Sequence, residues 1–258
     1  MTDSPLALAA ITVAVVMLTT WLVSIAIRNA SIVDIVWGLG FPVVAVATFL
    51  ADGNRGSLDV VILAMVVIWG LRLGGYLAWR NLGHEEDYRY RAMRRRWGSR
   101  FPLVSLLTVF TLQGTLMWIV SLPVQLSHRG EGRSVGVVAV VGLAVWAIGL
   151  AFETIGDWQL TRFKADPRNA GKVMDRGLWR YTRHPNYFGD SCVWWGIAIA
   201  ASTVPVARWG LIGAVVMNVL LVRVSGKALL ERSLSKRKDG WAEYAARTSG
   251  FIPRPPRA

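Results

Sequence analysis

The chain has 258 residues, of which 53% are apolar and 17% charged, and its mean hydropathy is +0.41. A soluble domain carries roughly 25% charged residues, so the composition excludes an ordinary soluble globule and points to a membrane protein. The net charge is +13, from 29 Lys and Arg against 16 Asp and Glu. In a soluble protein that excess would suggest nucleic acid, but its placement along this chain assigns it otherwise. The single cysteine, Cys192, excludes an intrachain disulfide and any cysteine-based zinc or iron–sulfur centre.

A spanning helix needs about 20 largely apolar residues. Seven runs meet or approach that length: Leu6 to Ile27, Ile32 to Leu50, Leu58 to Trp79, Leu103 to Leu126, Val135 to Ile155, Tyr187 to Ser202 and Val206 to Val224. The break at Val204-Pro205 makes the last two a tight hairpin. The first run follows Met-Thr-Asp-Ser-Pro, with no basic segment and no convincing cleavage site, so it is expected to be a retained helix. Lys and Arg beside spans stay cytoplasmic. With seven spans, 24 of the 29 basic residues flank the side of the C-terminus and 4 the other. The expectation is an all-α polytopic membrane protein of about seven transmembrane helices, N-terminus out and C-terminus in. The basic excess is then topological: it favours anionic lipid headgroups and argues against nucleic acid. No linker or repeat divides the chain, so 1–258 reads as one membrane domain whose chemistry lies at cytoplasmic helix ends and loops.

Polar groups inside spans cost about 2.5 to 3.5 kcal/mol when charged and are functional candidates by default. Here they are Asp34, Arg72, Gln113 and Glu153. An Asp34–Arg72 pair that merely locks two helices is as reasonable as a site role. Glu153, Asp157 and Lys164 are spaced four and seven apart, on one face of a helix that leaves the bilayer. The following loop, from Gly171 to Asp190, mixes basic residues with Trp and Tyr, a composition suited to gripping phosphates while stacking on a planar ring. Soluble-enzyme signatures are missing: no G-x-G-x-x-G after a strand, no Walker loop, no H-E-x-x-H and no G-x-S-x-G. His84, His128 and His184 are far apart in sequence, so no metal site is expected. Gly38-Leu39-Gly40 reads as helix packing.

The segment Leu178-Trp179-Arg180-Tyr181-Thr182-Arg183-His184-Pro185-Asn186-Tyr187-Phe188-Gly189-Asp190 resembles the C-terminal signature of the steroid 5-alpha-reductase-like membrane family, closest to its bacterial branch. Ser31 to Gly38, Gly83 to Tyr90, Leu112-Gln113-Gly114 and the tail from Tyr244 to Pro253 extend the likeness along most of the chain. Sterol C14 and C7 reductases and isoprenylcysteine methyltransferases carry similar R-H-P-x-Y-x-G segments.

The resemblance implies a reductase with NADPH in a cavity open to the cytoplasm, held by residues 150–258, and with the substrate side in the N-terminal half. It assigns Glu153, Asp157 and Lys164 to the adenosine and its phosphates. It assigns Arg183, His184, Asn186, Tyr187 and Asp190 to the nicotinamide half, with Arg176 and Tyr181 in the same loop. Glu231, on a helix leading from the last span, falls near a family histidine. Asp34 falls where steroid reductases polarise the substrate ketone. Their companion tyrosine has no clear match, Trp69 or Gly70 occupying its place, and Tyr76 lies two turns beyond. The implied reaction is hydride transfer to a double bond of a lipid, isoprenoid or sterol-like substrate while an acid such as Asp34 hydrogen-bonds the carbonyl. Two rival classes are an S-adenosylmethionine-dependent methyltransferase of lipid or prenyl-cysteine substrates, whose paired acids reduce here to Glu231, and a non-enzymatic membrane scaffold. A scaffold gains nothing from burying the polar face between Glu153 and Asp190.

Overall fold

The computed structural model describes residues 4–129, 133–224, 231 and 238–257. These residues are helical with no strand among them, and six helices are long and apolar enough to cross a membrane. The architecture is that of a polytopic all-α membrane protein. The sixth expected span, Tyr187 to Ser202, is the exception by length. Its helix, Pro185–Ala201, has 17 residues, and at 1.5 Å per residue it rises about 26 Å, short of a hydrocarbon core about 30 Å thick.

The chain packs as two compact units, Met1–Ala139 with Ile197–Gly213 and Val140–Gly196 with Ala214–Ala258. In the first, α1 (Pro5–Ala26) begins with proline at its first turn, where the missing N–H costs nothing. It ends in a Schellman turn: Asn29 N–H donates to Ser24 O at 3.0 Å, Arg28 N–H donates to Ile25 O at 3.2 Å, and Arg28 adopts φ 54°. Helices α2 (Ile32–Ala51) and α3 (Ser57–Asn81) form a close hairpin. A methyl group on Gly38 would lie 2.6 Å from the Gly74 backbone nitrogen, and one on Gly74 would lie 2.6 Å from Leu39. Small residues thus let the two backbones touch, which is how helices associate in lipid. A methyl on Gly40 would strike Met117, so both glycines of the Gly38-Leu39-Gly40 run serve packing. Trp37, Phe41 and Trp69 meet edge to face at 5.3 and 5.5 Å between successive centroids. Phe41 and Trp69 are buried.

The amphipathic helix α4 (Tyr88–Trp97) follows, capped by Asp87, whose carboxylate accepts from Arg89 N–H at 2.9 Å. Then come α5 (Phe101–Ser105), a π-helical stretch Leu106–Thr111, α6 (Leu112–Val120) and α7 (Leu122–Ser127). The expected run from Leu103 to Leu126 is therefore interrupted at Ser121, ahead of Pro123, which no helix interior accommodates well.

In the second unit α8 (Val137–Ala165) continues ten residues beyond the expected Ile155 and carries Asp157 and Lys164 on one unbroken helix. It is followed by the loop to α9 (Pro185–Ala201), by α10 (Leu211–Val219) with a π-helical continuation Leu220–Val224, and by α11 (Trp241–Arg247). The boundary between the units falls within α8, α9 and α10. The helix expected to lead from the last span to Glu231 and beyond falls on 225–230 and 232–237, outside the described residues.

Candidate functional site

Two glycine stripes build the site in the second unit. Gly142, Gly149 and Gly156 recur every seven residues on α8, and Gly189 and Gly196 do so on α9. Two helical turns separate such positions, so each set lies on one face. A methyl on Gly149 would fall 2.5 Å from Gly189 O, one on Gly189 2.5 Å from Glu153 N, and one on Gly196 2.6 Å from Gly142 O. Only hydrogen at these positions permits that approach. It sets Glu153 and Asp157, 3% and 5% exposed, beside the first turns of α9.

There the expected residues gather. Asn186 donates from Nδ2 to Asp157 Oδ1 at 3.1 Å, and its own Oδ1 accepts from Tyr187 N–H at 3.0 Å. His184 is 1% exposed and its ring stacks parallel on Tyr187, with centroids 5.3 Å apart and planes 2° from parallel. His184 Nε2 lies 2.9 Å from Glu231 Oε1. An ionised carboxylate only accepts, so the imidazole carries its proton on Nε2. Arg183 Nε donates to the same oxygen at 3.0 Å, and its Nη1 donates to Ala245 O and Thr248 O, each at 2.7 Å. Burial by itself raises the Glu231 pKa, but the hydrogen bonds from His184 and Arg183 outweigh it and hold the carboxyl at about 2. Asp190 is buried close by in sequence, and Ser191 donates to Asn218 Oδ1 at 3.0 Å.

The tail is strapped to this loop. Thr182 Oγ1 donates to Phe251 O at 2.7 Å, Arg183 N–H to Ser249 O at 2.9 Å and Arg254 N–H to Tyr181 O at 3.0 Å. Tyr244, buried on α11, donates to Trp179 O at 2.6 Å, and Trp179 Nε1 donates to Gly156 O at 3.0 Å. Gly177 takes φ 58°, and a methyl there would collide with Gln159, whose Oε1 accepts from Leu178 N–H at 3.0 Å. The Arg183 to Asp190 segment is thereby held from both sides of the sequence. Lys164, Arg176 and Tyr181 are exposed, outside the part-buried cluster of Glu153, Asp157, Arg183, His184, Asn186, Tyr187 and Glu231, beside which Asp190 is buried on α9.

Asp34 lies in the first unit, in the opening turn of α2. Its ion-pair partner is Arg89, at 3.3 Å, and not the Arg72 considered from the sequence. Its hydrogen-bonding tyrosine is Tyr90, whose hydroxyl donates at 3.0 Å. Tyr76 instead has Arg72 and Arg80 guanidinium carbons 5.5 and 5.6 Å from its ring centroid. A second set of bonds anchors the loop before α4 to the start of α2. Ala30 N–H donates to Glu86 Oε1 at 2.8 Å, Asp87 N–H to Ser31 Oγ at 2.7 Å, and Arg94 grips Glu86 by two nitrogens. For Glu86 burial raises the pKa, yet the bonds from Arg94 and Ala30 leave it below the usual carboxylate range.

Sequence reasoning missed Tyr90 because it sits on a polar helix outside every apolar run. It missed Asn218 although an asparagine in an apolar span was the available signal. Gln159 and Tyr244 act through backbone atoms, which leave no pattern in side-chain types.

The model of a protein family described as "Protein of unknown function (DUF1295)" matches residues 20–248. No curated protein and no solved structure matches.

Proposed function

The chain belongs to the DUF1295 family, and we propose that it is an NADPH-dependent membrane reductase that saturates a carbon–carbon double bond in a steroid-like, isoprenoid or other lipid substrate. The observation that carries this reading is the pair of buried carboxyl groups on α8, Glu153 and Asp157, with Asn186 of α9 bonded to the second. Two carboxyl groups on one face of an apolar helix are costly to bury, and apolar packing against α9 does not call for them, so their presence marks this face as a functional candidate.

The donor set fits a dinucleotide. Glu153, Asp157 and Asp190 are carboxylates, the side-chain type that accepts from ribose hydroxyls and amide N–H groups. Exposed Lys164 and Arg176 suit phosphates, and the part-buried Tyr187 ring, backed by buried His184, is a planar group suited to stack on an aromatic ring. NADPH, when bound, supplies the hydride. The chain's own residues hold and orient: Arg183 ties the tail to the start of α9, Glu231 fixes the His184 tautomer, and the glycine contacts keep water from the carboxyl pair. Asp34 with the Tyr90 hydroxyl forms a proton-bearing pair suited to a substrate carbonyl. An orientation with the C-terminus cytoplasmic follows from the basic-residue asymmetry.

The test is equilibrium binding to the protein purified in detergent. NADPH should bind, and Asn186→Ala combined with Tyr187→Phe should weaken it roughly tenfold, the worth of one or two hydrogen bonds. Unchanged affinity in a folded double variant, or co-purified S-adenosylhomocysteine in place of NADP(H), would overturn the reading.

A further inference from the structure

At the far end of α2 from Asp34, the fold brings together three groups that are 7 and 69 residues apart in the chain. Asp52 caps α2, Asp59 lies in the first turn of α3, and His128 follows α7. The His128 side chain is 2% exposed and that of Asp59 0%, while Asp52 at 13% keeps a path to solvent. His128 Nδ1 lies 3.3 Å from Asp52 Oδ2 and 3.3 Å from Asp59 Oδ1. Among the described residues neither His128 Nδ1 nor Asp59 Oδ1 makes a hydrogen bond of good geometry, and the imidazole nitrogen sits between two carboxylate oxygens, 3.3 Å from each.

The surroundings match the outer shell of a metal site. Asp59 spends its other oxygen on the protein: Oδ2 accepts from Gly56 N–H at 2.7 Å and faces Arg133 Nε at 3.2 Å. Arg133 Nη1 also bonds Asp52 Oδ2 at 2.6 Å and His128 O at 2.9 Å. A carboxylate oriented through one oxygen with the other presented inward is how ligating carboxylates are held. Two carboxylates against one guanidinium leave a single negative charge for a cation to neutralise, and a metal ion would take the imidazole in its neutral form.

We infer that Asp52, Asp59 and His128 form a binding site for a divalent transition-metal ion of the zinc class. Ligands about 2.0 to 2.2 Å from a tetrahedral ion are about 3.3 to 3.6 Å from one another, and both separations from His128 Nδ1 have that length. All three ligand atoms fall within 4.8 Å of each other. One imidazole with two carboxylates suits zinc better than calcium or magnesium, which take oxygen alone, and water completes the fourth position. The ion would tie the end of α2, the start of α3 and the end of α7. Separation in sequence argues for no metal, but the hairpin and the return of α7 undo that separation.

The experiment uses tag-free, full-length protein in detergent, stripped with chelator and titrated with Zn2+ and with Co2+. Expected are one equivalent of Zn2+ per chain with a rise in melting temperature, and for Co2+ the intense visible bands of a four-coordinate site. His128→Gln should lose both while keeping its helical circular dichroism. Wild-type protein that takes up no stoichiometric ion, or that gives only the weak bands of six-coordinate Co2+, would overturn the site. So would a folded His128→Gln variant that binds as wild type does. Should that variant fail to fold, the wild-type cobalt spectrum alone decides.

Discussion

The Tyr90 hydroxyl donates a hydrogen bond to Asp34 Oδ1 at 3.0 Å, across 56 residues of chain. The other carboxylate oxygen meets Arg89 at 3.3 Å, and Arg89 is half exposed and also bonded to Asp87. A pairing of this kind decides how a substitution at Asp34 can be read. Had Asp34 neutralised an Arg within a span, its removal would strand a buried charge at a cost of about 3 to 5 kcal/mol. An exposed partner is worth about 0 to 1 kcal/mol.

Asp34→Asn is therefore expected to fold with a melting temperature within a few degrees of wild type, to bind NADPH and to turn over lipid substrate slowly or not at all. Tyr90→Phe should act in the same direction with a smaller loss. Thermal unfolding and turnover measured on the same preparations check this. Full turnover in Asp34→Asn removes it from the site.

The contact between α8 and α9 makes a paired prediction with glycine. Gly149→Ala places a methyl 2.5 Å from Gly189 O and 2.7 Å from Val193 N, both backbone atoms that cannot swing aside, so about 1 to 3 kcal/mol of stability should be lost. Gly75→Ala, also within a helix but with nothing within 4 Å of the added carbon, should be neutral or stabilise by about 0.5 to 1 kcal/mol. Thermal melts in detergent distinguish the two, and equal effects would contradict the close packing.

Glu231 sets a pH dependence. Its carboxyl is held at about 2 against an ordinary 4.5, so folding favours the ionised form. The stabilisation is complete above pH 4.5 and is lost as the pH falls from there towards 2. The melting-temperature difference between wild type and Glu231→Gln should be largest at pH 6 and should shrink on acidification below about 4.5. A difference that stays constant or grows in acid would contradict the ion pair.

Orientation is open to direct labelling. With Cys192→Ser as background, a single cysteine introduced between Arg89 and Arg100 should react with a membrane-impermeant reagent only after the cytoplasmic face is opened. Labelling in intact cells would reverse the topology drawn from the flanking basic residues.

Apolar run lengths and the spacing of Glu153, Asp157 and Lys164 were enough to read a helical membrane protein and one polar helix face directly from the chain. Both depend on local periodicity, which a linear sequence carries in full. The Arg183 to Gly189 motif singled out Arg183, His184, Asn186 and Tyr187, which lie together at the start of α9. Partners across long separations were beyond reach: Tyr90 for Asp34, Ala245 and Thr248 for Arg183, and Asp52, Asp59 and His128 for one another. Those pairings arise where glycine stripes let backbones approach and where turns return helix ends to a common level. Side-chain identity at one position does not encode which distant backbone will arrive beside it, so only packing in three dimensions makes those choices.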